Sequence, residues 1–142
     1  MKIRRNFLNV HKNSQTRRLI AAAKKAKRRA YAPYSKYKVG AAVLTPAGKI
    51  FTGCNVGNAS YGLTVCAERN AVAAMAAAGE REIKAIAVVT DLKTPASPCG
   101  ACRQVIAEFG PDAQIVMANL KGAVLAENLA HLLPSRFSLK GR

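Results

Sequence analysis

Apolar positions change their period several times along the chain, and each change marks an element. From Thr16 to about Ala30, the residues Leu19, Ile20, Ala23, Ala26, Lys27 and Ala30 recur at helical spacing. That stripe predicts a helix with Thr16 as N-cap, broken by Tyr31-Ala32-Pro33. Residues 38–44 and 49–54 read as strands around a Thr45-Pro46-Ala47-Gly48 turn, a hairpin. Residues 55–64 are rich in Asn, Gly and Ser and read as a loop. An alanine-rich helix over 65–78 stops at Gly79. Residues 83–90 form an unbroken apolar strand, and 99–109 a helix ended by Gly110-Pro111. A strand over 113–119, a short one over 123–125 and a short helix over 127–133 complete the chain before Pro134. This order predicts an α/β domain, one mixed sheet with helices packed on it.

A length of 142 residues suits one domain. Residues 1–15 have no clear period and read as a basic arm, leaving 16–142 as the folded unit. Apolar residues make up 50% of the chain, but alanine alone supplies 27 of them, so the interior must be closely packed. No run approaches the roughly 18 apolar residues of a membrane span. No apolar stretch follows Met1, so a secretory leader is not expected and a cytoplasmic location is.

Charge adds a second theme. Lys and Arg total 23 against 7 acidic residues, a net +16. Residues 1–67 carry 14 basic side chains and no carboxylate before Glu68. Such a half attracts polyanions. Arg4-Arg5, Arg17-Arg18 and the Lys24-to-Arg29 cluster could form a nucleic-acid surface, a solvated face that aids solubility, or part of a targeting segment.

The candidate chemistry lies in the cysteines. Cys99 and Cys102, at i and i+3, share one face of the helix they begin, and Cys66 begins the helix before it. Helix N-termini favour thiolate over thiol. Two such ends meeting would gather three thiolates around one soft tetrahedral metal, for which zinc is the natural choice. Three protein ligands leave the fourth position for water, the pattern of a catalytic site. Glu68, two residues after Cys66, is placed to move protons without binding the metal. A nonligand Glu together with a P-C-x-x-C segment is the known signature of zinc deaminases, and this assignment follows that likeness. A structural site closed by Cys54, or a redox pair at Cys99 and Cys102, stays open at this level.

The chain closely resembles the small cytidine deaminases whose zinc is held by three cysteines. The resemblance runs from about residue 16 to 137. It is carried by Tyr34-to-Ala42, by Gly53-Cys54-Asn55-Val56 with Asn58-to-Gly62, and by Cys66-Ala67-Glu68-Arg69. Pro98-to-Gln104 and Leu132-Leu133-Pro134 with Phe137 complete it. It implies a sheet of about five strands between helices and a homotetramer with shared sites. The activity it implies is hydrolytic deamination at C4 of a cytosine nucleoside. Zinc would be held by Cys66, Cys99 and Cys102, with Glu68 passing protons to N3 and then to the departing amine. Arg69 would offset the excess charge of three thiolates. Ala67 would touch the pyrimidine edge, Asn55 the ribose and Tyr37 the base, with Tyr61 and Phe137 at a subunit boundary. Tyr37 stands where phenylalanine is common, and its hydroxyl needs a partner if buried.

One departure matters. The family's ribose segment has glutamate where this chain has Gly57. Losing a charged acceptor for a ligand hydroxyl costs roughly 1.5–3 kcal/mol of binding, about tenfold to over a hundredfold. The position reads either as a permissive loop glycine in a poorer cytidine deaminase or as a pocket opened for another ligand. Such ligands include an N4- or sugar-modified nucleoside, a nucleotide or a blasticidin-like antibiotic. A polynucleotide deaminase is disfavoured by Cys66, where those enzymes carry histidine, and by the lack of tryptophan.

Overall fold

The structure, a computed structural model, describes residues 13–139. Helix α1 (Ser14–Lys27) is followed by strands β1 (Gly40–Leu44) and β2 (Ile50–Cys54), a single 3₁₀ turn (Tyr61–Leu63) and helix α2 (Ala67–Ala77). Strand β3 (Ala85–Thr90), helix α3 (Gly100–Phe109), strands β4 (Gln114–Asn119) and β5 (Val124–Asn128) and helix α4 (Leu129–Leu132) complete the domain. The five strands form one sheet in the order β2-β1-β3-β4-β5. β3 and β4 are parallel and every other neighbouring pair is antiparallel. The mixed α/β sheet expected from the element order is the one present.

Alternation along the strands divides the interior into two layers. Ala41, Val43, Ile86, Val88, Ile115 and Met117 face α2, α3 and α4, packing on Ala71, Met75, Ile106 and Leu129. Ala42, Leu44, Ala87, Val89, Val116 and Ala118 face the other way, toward Leu19 and Ala23 of α1. The alanines on this second face are what lets one helix cover it. β1 and β3 are buried at every position, so they read as apolar runs rather than alternating strands.

Several boundaries differ from the sequence expectation. Asn13, not Thr16, caps α1, its side chain accepting from the Gln15 and Thr16 backbone N–H groups. Thr16 is buried inside the first turn. Residues 13–15 therefore join the domain, and the rest of the expected arm, residues 1–12 with His11, lies outside the described residues. β5 is longer than the short strand expected, because it pairs with β4 from Val124 to Asn128. Asn128 then caps α4 through the Ala130 N–H.

Two glycines let helices rest directly on the sheet. A Cβ on Gly53 would lie 2.5 Å from the Ala67 carbonyl oxygen in the first turn of α2. A Cβ on Gly40 would lie 2.5 Å from the Lys27 backbone nitrogen of α1. No flexible side chain is available to yield at Gly53, so α2 itself must move. Gly53→Ala is expected to cost roughly 1–3 kcal/mol in urea unfolding, the range for overpacking. Gly62→Ala, where a Cβ meets nothing within 4 Å, should stay within about 0.5 kcal/mol. Equal stabilities of the two variants would contradict this seating.

Candidate active site

The close seating of α2 fixes where the chemistry gathers. Cys66 is the N-cap of α2 and Cys99 the N-cap of α3, and neither makes a side-chain capping bond. Their thiols are therefore not spent on the helix starts and stay available to a metal. Cys102, one turn into α3, is fully buried. The three Sγ atoms lie within 4.8 Å of one another, with Cys66 and Cys99 4.0 Å apart. Among the described residues no fourth His, Cys, Asp or Glu joins them.

These donors fit zinc. Three thiolates around a tetrahedral ion at ordinary Zn–S lengths stand about 3.8 Å apart. The set is soft and all-sulfur, and three ligands leave one position for a reactant. Cys54 cannot close the site. It pairs with Gly40 in the register, on the sheet face that α1 covers, whereas its neighbour Gly53 faces α2.

The surroundings are polarised to match. The Cys66 thiol is pushed down to about 5, first by a hydrogen bond from Cys102, with Cys99 and Arg69 adding to it against the effect of burial. The Cys102 thiol is pushed up, first by that same pairing and then by burial and the charge of Glu68. The cluster thus releases its first proton easily and resists giving up the next, and a bound cation would reverse that resistance. Burial acts against the Arg69 charge, but short-range attraction to the Cys66 sulfur outweighs it, and the guanidinium pKa is raised. One Arg69 Nη donates to the Thr64 carbonyl at 3.2 Å. Its Nε is buried with no hydrogen-bond partner, a donor left beside the sulfurs.

Glu68 lies in the first turn of α2, 5% exposed. Burial, joined by the charge of Cys66, raises its carboxyl to about 7, with Arg69 pulling the other way. Ala67 is fully buried at the first position of the same helix. Tyr37 reaches toward this group. Burial raises its phenol, a bond with the Thr90 hydroxyl opposes that, and the charges of Glu68 and Asp91 add to the rise. Tyr37 is itself only partly buried, 36% exposed, so its hydroxyl can also meet solvent.

Asn55 is buried, and its side chain works as a bracket. Oδ1 accepts from the Val39 N–H at 2.8 Å and Nδ2 donates to the Tyr37 carbonyl at 2.7 Å. It thereby holds the segment that carries Tyr37. Gly57 is half-buried, and its N–H donates to the Tyr31 carbonyl at 2.7 Å. Tyr61 and Phe137 lie away from this group on the surface, 75% and 61% exposed. Tyr61 packs its ring against Tyr34 at 6.1 Å, and the Phe137 carbonyl accepts from Gln104 Nε2 at 3.0 Å.

Arg103 and Asn70 hold the site without a sequence signal that marks them. Arg103 donates to the Pro98 and Leu132 carbonyls, each at 2.8 Å, and to Ser97 Oγ at 2.7 Å. It ties the loop before Cys99 to α4. Asn70 Nδ2 donates to the Cys54 carbonyl at 2.8 Å, fastening α2 to β2.

A carboxylate buried in the first turn of α2, two residues from an open three-thiol group, is the arrangement that a zinc-dependent hydrolytic deaminase requires. Residues 13–118 match the family described as "Cytidine and deoxycytidylate deaminase zinc-binding region". The chain is 51% identical over 122 residues to a cytidine deaminase of Sporosarcina psychrophila, covering 85% of this chain and 90% of that one. It is 48% identical over 121 residues to the cytidine deaminase of Halalkalibacterium halodurans, covering 84% and 92%. The crystal structure of cytidine deaminase from Burkholderia pseudomallei superposes with a TM-score of 0.82 at 52% identity, over 85% of this chain and 98% of that one. The chain belongs to the cytidine and deoxycytidylate deaminase family.

The ligand assignment has a direct check in metal content. The purified protein should hold one zinc per chain, Cys99→Ser should hold far less, and Cys54→Ser should hold as much as the parent. Zinc loss in Cys54→Ser would contradict the three-ligand set. Asn55→Ala should lose roughly 1–3 kcal/mol of stability for each backbone group it orphans, read by urea unfolding. A stability unchanged by that substitution would remove the bracket.

Proposed function

We infer that this chain hydrolyses cytidine to uridine and ammonia, with Glu68 as the proton carrier and with relaxed recognition of the sugar. The observation that carries this is the three-sulfur cluster with Glu68 buried in the same helical turn as Cys66. Close relatives over most of the chain are cytidine deaminases, which supports a cytosine nucleoside as substrate.

Cys66, Cys99 and Cys102 hold the zinc, and Arg69 offsets the negative charge of three thiolates. When bound, zinc supplies a Lewis acid that makes water a nucleophile near neutral pH. Glu68 would carry one proton of the attacking water to N3 of the cytosine as the hydroxyl adds to C4, then carry that hydroxyl's own proton to the amino group, so that the C4–N bond breaks, ammonia leaves and C4 becomes a carbonyl. Its burial keeps bulk water away from the proton path and strengthens its contact with the base. The backbone at Ala67, in the first turn of α2, offers donors to the pyrimidine edge. Tyr37, on the segment that Asn55 holds, flanks the base. Asn55 meets the ribose with whatever bonding capacity its backbone bracket leaves, and Gly57 supplies no carboxylate there.

Tyr61 and Phe137 complete the site across a subunit boundary in a homotetramer. Supporting this, Tyr31, Tyr34, Val56, Tyr61 and Leu63 all lie exposed around the 55–65 segment. The four cysteines are unpaired, which suits a reducing compartment such as the cytoplasm. Among the described residues no helix is long and apolar enough to cross a membrane.

Glu68→Gln should lower turnover of cytidine by about 10²–10⁴-fold while zinc content stays at the parent level. Near-parental turnover would refute its role. The sugar reading is tested by KM for cytidine in Gly57→Glu and Gly57→Ala. A Cβ at this position comes within 3.2 Å of the Tyr31 carbonyl oxygen, so alanine reports the cost of that approach alone. Glutamate should lower KM about tenfold relative to alanine. No difference between the two would mean that the position serves a different ligand.

A further inference from the structure

The basic side chains of α1 are not used by deamination, and the fold gives them a shape. α1 lies across the sheet face opposite α2 and α3, next to the edge strand β2. Between them runs a groove of about 440 Å³, lined by Ala22, Lys25, Ala26, Arg29, Thr52 and Cys54, with Gly53 in its floor. The small side chains of Ala22 and Ala26 leave it open. Lys25 and Arg29, both exposed, rise from one wall and the Thr52 hydroxyl from the other.

The charges here are unanswered. Among the described residues the ion pairs of this region use Lys27, which meets Asp91 at 2.7 Å, and Lys49, which meets Glu80. Among the described residues neither Lys25 nor Arg29 has a carboxylate partner. Four residues separate them, roughly 6 Å along a helix, close to the step between successive phosphates of an extended strand. Arg18 stands two turns before Lys25, on the same flank by helical spacing. Arg17, Lys24 and Arg28 surround this file, and no acidic residue lies in α1.

We propose that the groove between α1 and β2 binds the phosphate backbone of a single-stranded nucleic acid, at a site separate from the zinc centre. Lys25 and Arg29 contact successive phosphates, and Thr52 donates its hydroxyl to one of them. A chain is favoured over a free nucleotide because the cations extend beyond the groove in a file. A lipid surface is disfavoured because the outward face of α1 carries no large apolar anchor. The site lies on the sheet face opposite Glu68, so the bound strand is held rather than deaminated there.

The test is fluorescence anisotropy with a labelled oligothymidylate about 16 nucleotides long, titrated with the zinc-loaded protein across a potassium chloride series. Lys25→Ala/Arg29→Ala should weaken binding about tenfold or more and reduce the salt slope by about 1.4, two contacts at about 0.7 each. Arg17→Ala/Arg28→Ala removes the same charge from residues that do not line the groove, and should change affinity less than threefold. Both variants should deaminate cytidine like the parent, which reports that they fold. Equal weakening by the two double variants would overturn the groove in favour of diffuse charge. Competition by inorganic triphosphate as effective as by unlabelled strand, at equal phosphate, would overturn the chain reading. Absence of salt-sensitive binding in the parent would overturn the proposal outright.

Discussion

Two helices begin at one point, and most of the molecule serves to keep them there. A helix start carries partial positive charge and backbone donors that need an anion. Here Cys66 and Cys99 occupy the N-cap positions of α2 and α3 and make no side-chain capping bond, so both thiols are left facing one another across the two helix starts. Bringing both starts together and adding Cys102 concentrates thiolate charge that only a cation or a guanidinium can answer. Arg69 supplies the second, and its unpartnered Nε lies beside the sulfurs. Zinc answers the rest of the charge and leaves one position for water.

Holding that point depends on contacts remote from it. Gly53 lets α2 lie against the edge strand, and Asn70 fastens the helix to the Cys54 carbonyl. Arg103 gathers the Ser97-Pro98 loop and α4 around the start of α3. Asn55 draws the Tyr37–Val39 segment to the end of β2. The bonds of Asn70, Arg103 and Asn55 each satisfy a backbone carbonyl, and those of Arg103 and Asn55 also fix a loop beside the site. The same framework puts Cys54 on the other face of the sheet, which separates the catalytic thiols from the one that lines the basic groove.

The elements of this fold were largely legible because their periods are strong: the apolar runs of β1 and β3, and the alanine-rich α2 stopped at Gly79. The start of α1 was not, since Thr16 and Asn13 are both good caps and only packing buries Thr16. β5 was underestimated because its half-buried residues carry a weak pattern until paired with β4. In the site, Cys66, Cys99, Cys102 and Glu68 could be read from spacing, because metal ligation constrains residue type. The bracket at Asn55 and the tie from Arg103 to Leu132 could not, since each joins positions far apart in sequence. Tyr61 and Phe137 are surface residues of the single chain, and their expected role rests on neighbours that a lone sequence does not display.

The central claim is that three sulfurs, and no fourth protein group, hold the metal and leave one place for reaction. X-ray absorption at the zinc edge of the purified enzyme measures that ligand set directly. Three sulfur neighbours and one oxygen neighbour are expected. Four sulfurs, or a nitrogen in place of the oxygen, would mean a closed structural centre and would contradict the catalytic reading.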